Sequence, residues 1–151
     1  MFLIMGENQT GFQYDSIPTG YYDSIYRRKR GIQSRWHHEK FDKIRLKVRP
    51  GSLLDIGCGP GTFVGSLSEQ TNAVGVDVSQ SQISYALSNN SGPGKTFRLV
   101  GKPPYDFANN TFGQVTLVEL IEHLNDDQIL SLLIESHRLL KPEGEIIVST
   151  P

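Results

Sequence analysis

Residues 53–63 read LLDIGCGPGTF. A short apolar run carries a carboxylate, Asp55, and three glycines follow at Gly57, Gly59 and Gly61. SLLDI has the composition of a buried strand, and the segment from Pro60 to Glu69 can form a helix, because Pro is tolerated in a first turn. A glycine turn joining the two meets two physical needs: positive φ in a sharp bend, and a backbone that a ligand can approach without meeting a Cβ. A dinucleotide loop is usually spaced G-x-G-x-x-G and lays pyrophosphate on the helix N-terminus. Here the spacing is G-x-G-x-G, and Asp55 would repel a pyrophosphate but attract an ammonium or sulfonium group. The loop therefore predicts a cationic ligand without phosphates, and the spacing disfavours NAD(P).

The pattern outward from this stretch alternates strand and helix. AVGVDV (73–78) reads as a second strand, with Ser79 capping a helix over 80–90. NNSGPG (89–94) is a loop, TFRLV (96–100) a third strand, and 114–120 a fourth. Asn125 or Asp126 caps a helix to about Leu140, KPEG turns the chain, and EIIVS (145–149) is a fifth strand. Strands separated by helices imply right-handed βαβ units. The predicted fold class is α/β: a Rossmann-like parallel sheet of about five strands with helices on both faces. Ligands in such sheets bind beyond the carboxyl ends of the strands. Asp77, 20 residues past Gly57, closes the second strand there, where its carboxylate can accept hydrogen bonds from ribose hydroxyls; the alternative is an acid favoured by a helix dipole.

Upstream lies a different kind of chain. Residues 1–26 are polar, Gly- and Tyr-containing and without sustained period, which predicts a loose arm with at most a short helix. Residues 27–49 carry ten Lys and Arg against two acids, +8, whereas the remainder carries five against fourteen, −9. Ile32, Trp36, Phe41, Ile44 and Val48 recur at helical spacing, so a basic amphipathic helix over about 28–48 is expected to pack on the core domain of 50–151, with Trp36 inward. A basic segment of this kind also admits an anionic partner such as nucleic acid. Cys58 is the only cysteine, which excludes an intrachain disulfide and a Cys-rich zinc site and fits a cytoplasmic protein. No apolar run is long enough for a membrane span, and MFLIM is too short for a signal peptide's apolar region.

Taken together and in order, LLDIGCGPGTF, GVDVSQSQISYA, FGQVTLVELIEHL and LLKPEGEIIVSTP resemble the successive motifs of class I S-adenosylmethionine-dependent methyltransferases, over about residues 50–151. They look most like the branch with E-H-L after the fourth strand, which includes quinone-biosynthesis O-methyltransferases and enzymes of polysaccharide gene clusters. The resemblance implies S-adenosyl-L-methionine as cofactor. It implies that Asp55, Gly57, Cys58, Gly59 and Gly61 surround the methionine moiety, that Asp77 binds the ribose, that Val78 lies against adenine, and that Val118 and Glu119 complete the pocket. Three departures stand out. Gly101-Lys102 replaces the acid that often holds the adenine amino group, leaving Asp106 as a substitute. Phe112-Gly113 replaces Phe-Asp, and the family's final antiparallel hairpin has no counterpart before Pro151. An uncovered fifth strand would be an apolar edge, so either a longer enzyme or a homodimer through that edge is expected.

Candidate chemistry centres on ELIEHL (119–124). His123 and Glu122 are the candidate catalytic residues, as base or acceptor-orienting groups. Glu119, Glu122 and His123 could alternatively hold a divalent ion, as in the similar E-x-x-E-H of small-RNA 3′-end methyltransferases, or be structural. His37 and His38 diverge by about 100° on a helix and cannot share a metal; one could reach the acceptor. Tyr14, Tyr21, Tyr22 and Tyr26 are either a lid or a latch. The expected function is methyl transfer to an oxygen of a small saccharide or phenol-like acceptor; RNA methylation and cofactor binding without turnover are the alternatives.

Overall fold

The computed structural model describes residues 17–151. Tyr14 lies outside them, and so does the rest of the arm before Ile17. The elements in chain order are α1 (Tyr21–Arg28), α2 (Ile32–Arg45), β1 (Gly51–Ile56), α3 (Thr62–Gly65), β2 (Thr71–Asp77), α4 (Gln80–Asn89), β3 (Lys95–Leu99), β4 (Phe112–Val118), a 3-10 turn (Ile121–His123), α5 (Asp126–Leu139) and β5 (Leu140–Ser149). The five strands form one parallel sheet in the order β3-β2-β1-β4-β5. Strand order reverses between β1 and β4, so the loops leaving those strands part and open a crevice at the carboxyl edge. That crevice is where the glycine turn sits.

Alternation along β1 divides the core. Leu53 joins Phe41, Ile44, Phe63, Ile83 and Phe97 on the face covered by α2, α3 and α4, whereas Leu54 and Ile56 join Phe112, Val115, Leu132 and Leu139 on the face covered by α5. A parallel strand buried on both faces explains the unbroken apolar runs in the sequence. Asn125 caps α5 in a reciprocal box with Gln128, as the cap signal predicts.

Several boundaries differ from expectation, each for a local reason. The basic helix expected over about 28–48 is α2, which starts only at Ile32 because Lys29 takes φ 53° and Gly31 φ 86°; the short helix α1 before this break falls mostly in the arm. The start of that stripe does not pack inward: Ile32 is 89% and Trp36 44% exposed, while Phe41 and Ile44 are buried. α3 is only four residues long; past Gly65, Ser66 turns its hydroxyl to the Phe63 carbonyl. β5 begins at Leu140, with Phe112 paired to Leu140 and Gln114 to Glu145, so three extra residues bulge out around Glu143 at φ 63°. That bulge is the KPEG turn. Among the described residues no further strand covers the outer edge of β5, where Ile146 and Val148 are partly exposed, and no helix is long and apolar enough to cross a membrane.

Candidate active site

The chain leaves β1 through a turn pinned to its neighbour strand: the amides of Gly57 and Cys58 both donate to the Val76 carbonyl, at 2.8 and 3.0 Å. Asp77, at the tip of β2, then ties the two loops together. Its Oδ2 accepts from the Gly59 amide and its Oδ1 from the Ser79 amide, each at 2.8 Å. A carboxylate has about four acceptor positions, so each oxygen keeps one for a ligand hydroxyl. Gly59 sits at φ 51° with nothing within 4 Å of where a Cβ would lie, which leaves its backbone open to a ligand. Gly61 is glycine for the opposite reason: a Cβ there would meet Phe97 at 2.6 Å and Ala86 at 2.8 Å. One glycine faces the crevice and the other faces the core.

Asp55 is buried beside Thr116 on the adjacent strand, whose Oγ1 donates to Asp55 Oδ1 at 2.6 Å. Burial pushes the Asp55 carboxyl up to about 7, the nearby Asp77 adds to this, and the Thr116 hydrogen bond opposes it. Cys58 is buried among the core side chains, and the same burial, next to both acids, pushes its thiol well up. A thiol held protonated in this way is no nucleophile.

Two cavities meet at this point. The larger, about 630 Å³, is lined by Asp55, Gly57, Cys58, Gly59, Asp77, Val118, Glu119, Glu122 and His123 from the sheet edge, and by aromatic and aliphatic side chains of α1 and α2. The smaller, about 450 Å³, holds Val78, Lys102, Tyr105 and Leu124. Gly57 and Asp77 line both. Val78 is 65% exposed toward this second cavity, whereas Asp106 lies outside its lining. The acid expected to substitute at the third strand does not reach the site; Lys102 and Pro103 occupy that wall.

The fourth strand's tip is arranged by charge. Glu119 takes φ 53°, accepts from Ser149 Oγ at 3.2 Å, and faces Lys40 Nζ at 3.4 Å. Lys40 in turn lies 3.8 Å above the Trp36 ring, and burial lowers its ammonium despite Glu119 and Glu122. Glu122 and His123 follow on the 3-10 turn, and both line the larger cavity. Among the described residues no group of three or more His, Cys, Asp and Glu comes together to hold a metal, so the Glu119, Glu122 and His123 set is not such a cluster.

Two histidines divide their roles. His38 stacks on Tyr26 at 4.0 Å and contacts its carbonyl at 3.0 Å, packing as a latch. His37 lines the cavity amid Trp36, Tyr22 and Phe41, and burial together with Lys40 lowers its pKa, keeping it neutral. Tyr21 and Tyr22 line the same cavity. Lys40, Thr116 and the inward face of α1 carried no sequence signal; only their position against distant strands gives them a place in the site.

Comparison with known proteins fits this geometry. The family described as "Methyltransferase domain" matches residues 53–144. Sterol 24-C-methyltransferase of Schizosaccharomyces pombe is 29% identical over 88% of this chain and 36% of its own length. A ubiquinone biosynthesis O-methyltransferase of Pseudomonas aeruginosa is 29% identical over 65% of this chain and 43% of its own. The chain thus spans less than half the length of these curated relatives. A Pyrococcus horikoshii protein of known structure superposes with a TM-score of 0.71 at 26% identity, covering 85% of this chain and 62% of that one. The N-methyltransferase NodS of Bradyrhizobium japonicum, solved with S-adenosyl-L-homocysteine, shares the fold at TM-score 0.66 and 19% identity, over 84% of this chain and 71% of its own. The matched stretch begins at the strand that carries Asp55 and takes in the whole glycine turn, and the chain belongs to the class I S-adenosylmethionine-dependent methyltransferases.

Proposed function

We propose that this chain binds S-adenosylmethionine across the two cavities and directs its methyl group to an oxygen of a small, uncharged acceptor. The observation that carries this reading is the junction at Gly57 and Asp77, which line both cavities: a carboxylate with spare acceptor positions stands where they meet, and the open backbone of Gly59 lies beside it in the larger cavity. An adenosyl group on Val78 and Asp77 leaves the amino-acid end for Gly57, Gly59 and Asp55. When bound, the cofactor supplies an electrophilic methyl whose bond to sulfur breaks as the acceptor oxygen bonds to it.

The residues of this chain then have three tasks. Asp55 and Asp77 provide negative charge where a cation must lie, in a buried setting where charge acts strongly. Tyr22, Trp36 and Phe41 offer flat apolar surface against which a planar acceptor can stack. His123 or Glu122, at the mouth of β4, takes the proton that the acceptor hydroxyl must lose. The charged groups of this cavity are mostly acidic, and Lys40 is already paired with Glu119. That balance favours a neutral phenol or saccharide over a phosphodiester, and so favours small-molecule over RNA methylation.

The test is transfer of labelled methyl from S-adenosylmethionine to a panel of phenols and sugars, with calorimetry of the cofactor alone. Asp77→Ala should weaken cofactor binding by about 1.5–3 kcal/mol, the scale of hydrogen bonds to a charged group. An unchanged dissociation constant removes Asp77 from the pocket. His123→Asn should lower kcat roughly a hundredfold or more, the usual size of a general-base contribution, with cofactor affinity kept.

A further inference from the structure

Asp23 is an acid in the polar stretch YYDS, yet it is 1% exposed. Four donors converge on its carboxylate. Arg27 Nε and the Tyr85 hydroxyl donate to Oδ2 at 2.6 and 2.9 Å; Thr62 Oγ1 and Asn90 Nδ2 donate to Oδ1 at 3.0 and 3.2 Å. Those four bonds use the whole acceptor capacity of a carboxylate. Three of the donors belong to the cofactor domain, two of them beside the glycine turn. Thr62 is the first residue after Gly61, and Asn90 Nδ2 also donates to the Pro60 carbonyl at 2.8 Å. Arg27 reinforces the link from outside by donating to Asn89 O and Asn90 Oδ1.

The same helix has a second face. Tyr21, Tyr22 and Ile25 of α1 line the larger cavity, whose opposite wall is the glycine turn with Asp55. α1 is therefore tied through Asp23 to the turn that would hold the cofactor, while its other face walls the space that would hold the acceptor. We propose that Asp23 is a positioning residue that fastens the acceptor wall to the cofactor turn, so that filling the site at Gly59 and seating α1 over the cavity are one coupled event; this rests on the function proposed above. A buried carboxylate suits the task because Asn cannot replace it: an amide would turn one NH2 group toward donors that need an acceptor. Coupling of this kind is reciprocal, so a ligand on the turn must also tighten the helix.

Amide hydrogen exchange of the whole chain, with and without saturating S-adenosylhomocysteine, tests this. In the wild type the ligand should slow exchange in residues 57–66 and also in residues 20–28, the latter roughly five- to tenfold, within the usual range of coupling factors. In Asp23→Asn the protection of 57–66 should remain while that of 20–28 disappears. Thr62→Val, which removes one of the two links to the turn and leaves Arg27, Tyr85 and Asn90 on the carboxylate, should retain the fold and measurably reduce the protection of 20–28, and it serves if Asp23→Asn does not fold. Ligand protection of 20–28 that persists in both variants, or that is absent from the wild type, overturns the proposal. Failure of the ligand to bind the wild type removes the cofactor site as well, whereas binding without any response in α1 removes the coupling alone.

Discussion

Replacing Asp55 by Asn should stabilise the protein and weaken its binding site at the same time. The carboxyl has an ordinary value of 3.8 and is pushed up to about 7 in the fold, chiefly by burial. A raised carboxyl value means that the native state keeps a proton that the unfolded chain releases. Its contribution is therefore complete below about pH 3.8 and is lost as pH rises through 7. At 1.36 kcal/mol per unit of separation, the loss by pH 8 is about 4 kcal/mol at most. The amide carries no such loss, and its oxygen can still accept from Thr116. Urea unfolding of both proteins from pH 4 to pH 8 should show curves that nearly coincide at the acid end and diverge with rising pH, the Asp55→Asn variant being the more stable by up to about 4 kcal/mol at pH 8. A difference that stays constant with pH, or a variant less stable at pH 8, refutes the account of Asp55. S-adenosylhomocysteine should bind the variant more weakly by about 1.5–3 kcal/mol, because its ammonium loses an ionised partner. The wild-type affinity should rise between pH 6 and pH 8 and the variant's should not.

Other outcomes follow from neighbouring residues. Gly59→Ala should cost roughly 1–2 kcal/mol of stability for its left-handed backbone and abolish cofactor binding, as seen by calorimetry. Gly61→Ala should instead unfold more readily, by about 3 kcal/mol or more, since a Cβ there adds overpacking against Phe97 and Ala86 to the same backbone strain. Glu135→Ala removes the acceptor of the Tyr105 amide at 2.7 Å and the partner of Arg138, and should destabilise by about 2–3 kcal/mol in urea. Arg138 holds the Glu135 carboxyl below its ordinary 4.5, so that part of the stability is present above pH 4.5 and is lost as pH falls through the lowered value, an acid limb that Glu135→Ala should lack.

The sheet was legible because a parallel strand buried on both faces writes an apolar run, and a glycine turn leaves little else to build at its end. The placement of Asp55 and Asp77 at the carboxyl edge was legible for a related reason: each acid stands at or next to the end of an apolar strand just before a turn. The helical cover was harder. Lys29 gives no local sign of positive φ, and Gly31, two residues on, was the hint that the basic helix would start only at Ile32. Trp36 has the spacing of a core residue and yet lies over Lys40 on the cavity wall, since the partner that decides its place is Glu119, far along the chain. Asp23 and Glu135 carry no distinguishing signal in the sequence. Their burial depends on donors from Thr62, Tyr85 and Asn90 in one case and from Tyr105 and Arg138 in the other, and no period or motif announces a meeting of that kind.

The central claim is that one ligand lies across both cavities where they meet at Gly57 and Asp77. A crystal structure of the chain with S-adenosylhomocysteine tests it directly. The ribose hydroxyls should fall within hydrogen-bond reach of Asp77, the adenine against Val78, and the sulfur over Gly59 with its face toward His37 and His123. Ligand density confined to another part of the surface, or a ribose out of reach of Asp77, would contradict it.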